Sequence, residues 1–144
     1  MKRMAKQLLV PLLLVILTHT LSACTQTDNH NDQSRPYTAT VTVTGYDNMI
    51  VLSQTEAGFS EGETVLDVLL RVSEDNDIVV DYTGFGDTAY VKGINNLYEF
   101  DYGGESGWVY IVSGTKEMPN VSCGAYRLKD GDDISWVYVT EYAA

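Results

Sequence analysis

Two alternating stretches, each holding its aromatic residues to one side, limit the possible folds more than anything else in the chain. In Ser106-Gly107-Trp108-Val109-Tyr110-Ile111-Val112, extended backbone puts Trp108, Tyr110 and Val112 on one face, with Val109 and Ile111 on the other. Near the C-terminus Ile134, Trp136, Tyr138 and Tyr142 share a side, with Val137 and Val139 opposite. Both tryptophans thus sit in strands that separate an aromatic face from an aliphatic one. Pairing in register makes the rings one platform.

The rest of the chain supplies strands and one helix. From Tyr37 to Gly45 the alternation of Tyr37, Ala39, Val41 and Val43 against four threonines predicts a half-buried strand. Tyr46-Asp47-Asn48 turns the chain, and Met49 to Gln54 returns as a second strand. Thr64-Val65-Leu66-Asp67 starts a helix, Thr64 capping the first turn and Asp67 reaching back three residues later. Val65, Leu66, Leu69, Leu70 and Val72 form its apolar stripe. Ile78 to Tyr82 is a short strand, followed by loops and further strands. The order predicts an α+β fold: a β-grasp-like mixed or antiparallel sheet with one helix packed on one face.

The N-terminus reads as an export signal. Met1-Lys2-Arg3-Met4-Ala5-Lys6 is basic, Leu8 to Leu17 is apolar, and the segment ends at Leu21-Ser22-Ala23-Cys24. The apolar run is short and soon interrupted for a membrane span. Leu-Ser-Ala-Cys resembles the lipobox of bacterial lipoproteins, which implies a signal peptide over 1–23 and a lipid on Cys24. The expected product is exported and anchored to the bacterial cell membrane, facing outside the cytoplasm. Residues 25–36 contain no aliphatic or aromatic side chain and read as a flexible tether of roughly 20 Å root-mean-square length. Residues 37–144 form one domain. Removing 1–23 takes away three positive charges and no negative ones, lowering the formal charge from −11 to −14. Such a surface repels nucleic acid and anionic headgroups. With Cys24 lipidated, Cys123 has no disulfide partner and reads as a small buried thiol.

Gly93-Ile94-Asn95-Asn96-Leu97, Ser106-Gly107-Trp108-Val109-Tyr110 and the run from Leu128 to Tyr138 resemble the transcobalamin-like C-terminal domain, a domain of unknown function common in exported bacterial proteins. The likeness spans about residues 38 to 140 and includes the helix start at Thr64. It implies a β-grasp-like fold. In the vertebrate cobalamin carriers this domain covers one side of the corrinoid and a helical barrel covers the other. No counterpart of the barrel stands in these 144 residues. The Asn-Gly frequent after the family's aromatic strand is Ser113-Gly114 here.

Catalysis has little to work with. Beyond residue 23 the only histidine is His30, in the tether, so no Ser-His-Asp or Cys-His arrangement forms in the domain. No Cys/His metal spacing or glycine-rich phosphate loop is present. The run Asp28 to Asp32 reads as solvated linker. Asp130-Gly131-Asp132-Asp133 lacks the spacing of a calcium loop and suits a tight turn. The expectation is a non-enzyme with no resident metal or cofactor.

Sidedness then bears on function. One helix covers one sheet face. Aromatic residues favour buried strands, while Val109, Ile111, Val137 and Val139 match the Leu66, Leu69, Leu70 stripe in size. Whichever set faces away needs cover from loops such as 83–107 and 114–126, or from a partner. Both tryptophans read first as scaffold. The ligand-binding candidates are Tyr90, Asn95, Tyr102, Tyr110 and Tyr126 at the rim, with Trp108 beside them. Tyr110→Ala is therefore expected to weaken binding and spare the fold. These features point to a non-catalytic, lipid-anchored surface protein binding a partly apolar small molecule, with a corrinoid such as cobalamin as the implied ligand. The other class in view is an interaction module docking on a transporter, another surface protein or cell wall.

Overall fold

A computed structural model describes residues 35–113 and 118–141, all within one compact unit, Asp32–Ala144. Cys24, the signal segment, the tether to residue 34 and Tyr142 lie outside the described residues.

Strand β1 (Tyr37–Thr44) buries Ala39, Val41 and Val43 and half-exposes the threonines between them, as its alternation requires. It pairs antiparallel with β2 (Ile50–Phe59), which continues beyond Gln54 to the end of that ladder. The turn between them holds Asp47 and Asn48 at φ of 53° and 59°, a left-handed conformation that short Asx side chains tolerate. Helix α1 (Val65–Asp75) starts at the expected cap. Asp67 N donates to Thr64 Oγ1 (3.2 Å), and Thr64 N donates to Asp67 Oδ2 (2.8 Å). Its buried stripe is Val65, Leu66, Val68, Leu69 and Val72.

Three short strands follow: β3 (Val80–Thr83), β4 (Tyr90–Ile94) and β5 (Leu97–Tyr98). They form their own antiparallel sheet, in the order β3-β4-β5. Asn95 and Asn96, with φ of 53° and 63°, make the two-residue turn between β4 and β5. The aromatic strands are β6 (Gly107–Val112) and β7 (Asp133–Val139). They pair antiparallel with Trp108 opposite Tyr138 and Tyr110 opposite Trp136, so the rings do form one platform. Because β7 also pairs in parallel with β1, the larger sheet is mixed, with order β2-β1-β7-β6. The fold is α+β, as expected, with its strands divided between two sheets.

The aromatic side is the inside. Trp108, Tyr110, Trp136 and Tyr138 are at most 8 % exposed and belong to one core with the helix stripe and with Val91, Ile94 and Leu97 of the second sheet. Ile111, Val137 and Val139 on the other face are half-buried. The size match between the aliphatic set and the helix does not decide the packing, because the helix is not the only cover. The β3–β5 sheet lies on the same face: Trp108 Nε1 donates to Leu97 O (2.8 Å), and the Tyr138 hydroxyl donates to Tyr98 O (2.7 Å).

The acidic turn before β7 is structural. Asp130 Oδ1 accepts from Thr38 N (2.9 Å), Asp132 from Lys129 N (2.9 Å) and Ser113 Oγ (2.7 Å), and Asp133 from Thr40 Oγ1 (2.6 Å). Gly131 at φ +82° closes it. These carboxylates fasten the turn to β1 and to the end of β6.

Candidate ligand cleft at the edge of the sheet

Strand β6 lies at the edge of its sheet, and the loop that follows returns beside it. Several bonds hold residues 121–126 in place. The Tyr110 hydroxyl donates to Val121 O (2.7 Å), and Ser122 Oγ donates to Ala89 O (2.6 Å) and Gly86 O (3.0 Å). Leu66 N donates to Cys123 O (3.0 Å), joining the same loop to the first turn of α1. Contact with the Gly86–Thr88 turn is close at Gly124, where a Cβ would stand 2.7 Å from both Ala89 Cβ and Gly86 O. Only glycine fits there without displacing the turn.

Between this loop, the start of β4 and the inner face of β6–β7 lies a cavity of about 220 Å³. Trp108, Tyr110 and Trp136 form one wall, Tyr90 and Val91 a second, and the Met118–Cys123 segment a third. Its rim is apolar and accessible: Tyr90, Met118 and Val121 are all exposed. Among the described residues no charged side chain lines it. Burial, with Cys123 and Tyr126 nearby, pushes the Tyr110 hydroxyl well above its ordinary ionisation range. Burial likewise raises the thiol of Cys123, a free cysteine. Both groups are neutral near pH 7, so the cleft holds no thiolate nucleophile. A second hollow of about 340 Å³ lies between Thr44–Asn48 and the end of β7, lined by the turn residues Gly45–Asn48 and by Val137–Glu141.

The residues singled out from the sequence part into four places. Tyr90, Trp108 and Tyr110 line the cleft. Tyr126 stands behind Tyr110, their rings edge to face at 6.2 Å. Asn95 is elsewhere: it serves the β4–β5 turn, and its N–H donates to Val79 O (2.8 Å). Tyr102 is also elsewhere, stacked on Tyr46 at 3.6 Å. Tyr110 and Trp108 are buried wall residues rather than rim residues, because the second sheet and the returning loop cover them. Beyond these candidates the cleft is lined by Ala89, Val91, Val109, Met118, Pro119, Val121, Ser122 and Cys123, and by Trp136, which the sequence places on the platform as scaffold. For the residues around Pro119 the signal lay only in the irregularity of their loop, since its contact with Gly86 and Ala89 spans more than thirty positions. Among the described residues no group of three or more His, Cys, Asp or Glu is arranged to hold a metal ion.

Fold and cleft define a small α+β domain with an aromatic-walled, uncharged recess at one sheet edge. The chain belongs to the family described as Domain of unknown function (DUF4430), which matches residues 62–140, over half of it. No curated protein matches the chain. Among solved structures it is similar to a candidate metal-binding protein from Ruminococcus gnavus, at 20 % identity and a TM-score of 0.51, covering 74 % of this chain and 99 % of that one. It is also similar to haptocorrin in complex with Cbi, at 16 % identity and a TM-score of 0.54, covering 73 % of this chain. The chain spans 26 % of the haptocorrin chain. At these identities the likeness is one of fold.

Proposed function

We propose that this chain is a non-catalytic binding protein, exported and held outside a bacterial cell membrane through lipid on Cys24. Its ligand is a flat, partly apolar small molecule, for which a corrinoid is the first candidate. The observation that carries the reading is the cleft itself: an uncharged, aromatic wall with an accessible apolar rim, built on a rigid sheet. Its volume sets a limit. Pockets that enclose a drug-sized ligand run to about 300–1,000 Å³, so about 220 Å³ takes a side group while the body of the ligand lies over the rim. The fold shared with haptocorrin, solved with Cbi, supports a corrinoid as the first probe. The lipobox-like Leu21-Ser22-Ala23-Cys24 and the apolar-free tether support the anchor.

The test is a titration of the full chain, purified in mild detergent, with cobinamide and with cobalamin, following corrin absorbance and tryptophan emission. A saturable change is expected, and silence from both removes the corrinoid. Mass spectrometry of the purified chain checks the anchor: an unmodified Cys24 in an uncleaved chain would remove it. A second reading, docking on a transporter or another surface protein, rests on a different surface. Tyr46 and Tyr102 stack there while each is more than 40 % exposed, two positions from the exposed Phe100. A partner enriched from solubilised envelope and lost in Tyr102→Ala, without small-molecule binding, would favour it.

A further inference from the structure

Four rings of the β6–β7 pair carry a polar tip into the interior. Three of those tips are satisfied by carbonyls: Trp108 Nε1 at Leu97 (2.8 Å), the Tyr138 hydroxyl at Tyr98 (2.7 Å) and the Tyr110 hydroxyl at Val121 (2.7 Å). The fourth, Trp136 Nε1, has no hydrogen-bond partner among the described residues. Trp136 is only 2 % exposed, and it lines the cleft. Buried N–H groups are nearly always paired, and one left unpaired costs free energy that an arriving acceptor recovers.

The other polar groups of the wall are occupied. Ser122 Oγ donates toward Ala89 O and Gly86 O, and the Tyr110 hydroxyl donates to Val121 O. The cleft-lining Trp136 therefore carries an unpaired donor, closed to solvent, in a wall where no described residue bears a charge. We infer, resting on the cleft reading above, that the ligand group it receives is neutral and carries a carbonyl oxygen (amide, ester or ketone) that accepts from Trp136 Nε1. A carboxylate is disfavoured because no cation among the described residues lines the cleft to compensate its burial, and the chain's net negative charge, −11 over the whole sequence, opposes its approach. An ammonium group would bring donors to a donor.

The two tryptophans provide an internal control. In the full chain with ¹⁵N-labelled indoles, Trp136→Phe assigns the two indole N–H resonances by deleting one. The probes are cyclohexanone and methylenecyclohexane, which match in shape and differ in the acceptor. Cyclohexanone is expected to move the Trp136 proton downfield and leave that of Trp108, already bonded to Leu97 O, in place. Methylenecyclohexane is expected to perturb the methyls of Val91 and Met118 without that downfield shift. Trp136→Phe alters the wall for both probes, and should weaken cyclohexanone about tenfold more than methylenecyclohexane, the difference being the loss of one hydrogen bond. If both probes perturb the cleft methyls and the Trp136 proton responds equally or not at all, the acceptor inference is overturned while the cleft reading stands. If neither probe perturbs the cleft, both fall. The wild-type spectra decide the matter even if Trp136→Phe does not fold.

Discussion

Truncating Tyr110 to alanine distinguishes a wall of the core from a removable rim. The ring is 8 % exposed, packs on Trp136 at 5.5 Å and on Tyr126 at 6.2 Å, and bonds through its hydroxyl to Val121 O. Removing a core aromatic costs about 3–5 kcal/mol. Tyr110→Phe keeps the ring and loses only the bond, for about 0.5–1.5 kcal/mol. The difference, about 2–4 kcal/mol, measures the ring's packing. Urea unfolding followed by tryptophan emission reads both values, provided the slope with denaturant is unchanged. Trp136→Ala, at 2 % exposure, should fall in the same range as Tyr110→Ala. A cost below about 1 kcal/mol for Tyr110→Ala, with Trp136→Ala severely destabilised, would place Tyr110 outside the core and refute the packing described here.

Three further outcomes follow from particular contacts. Thr64→Ala removes the reciprocal cap of α1 and should cost about 1 kcal/mol in urea unfolding; an unchanged midpoint would show that the helix is held by packing alone. Gly124→Ala forces a methyl to within 2.7 Å of Ala89 Cβ and Gly86 O, so the loop and turn must separate. It should cost about 1–3 kcal/mol and speed amide exchange at Ser122 and Cys123, and slow exchange there would contradict the close approach. Burial raises the ionisation of Cys123, Tyr110 and Tyr126 above 9.0 for the thiol and 10.0 for the tyrosines. The folded state therefore keeps protons that the unfolded chain releases, and this stability is complete below those values and lost above them. Thermal midpoints should be flat up to about pH 9 and then fall, Tyr110 alone contributing up to about 1.4 kcal/mol per pH unit above pH 10. Tyr110→Phe should flatten part of that fall.

What could be read from the sequence was local. The threonine alternation of β1, the Thr64–Asp67 cap and the acidic turn at 130–133 are each contained within a few residues, and each forms as its chemistry dictates. In-register pairing of the two aromatic strands follows from their matched patterns. Sidedness was not legible. It turns on a second sheet whose strands are only two to five residues long, too short to leave a periodic signature, yet which covers the same face as the helix. Asn95 lies outside the cleft for a local reason: at φ of 53° it holds a tight turn, a role that the sequence does not distinguish from that of any exposed polar loop residue. Of the cleft, the sequence exposed Tyr90, Trp108 and Tyr110. The wall opposite them depends on residues 86–89 meeting 122–124, a long-range contact with no local pattern.

The position of the cleft follows from how the two layers are tied. Both cross-sheet bonds from the platform, at Trp108 and Tyr138, end on the carbonyls of β5, and those two residues are cross-strand partners at one end of the β6–β7 ladder. The next pair along, Tyr110 and Trp136, makes no such bond to the second sheet among the described residues. Tyr110 instead spends its hydroxyl on the returning loop, and the indole Nε1 of Trp136 has no hydrogen-bond partner among the described residues. One end of the platform is therefore fastened to β5, while the other is covered by the start of β4 and by a loop held through Ser122, Cys123 and Gly124. A recess opens where the fastening stops. The same aromatic residues thus hold the scaffold at one pair and face the cleft at the next, which is why neither a purely structural nor a purely binding role describes the platform.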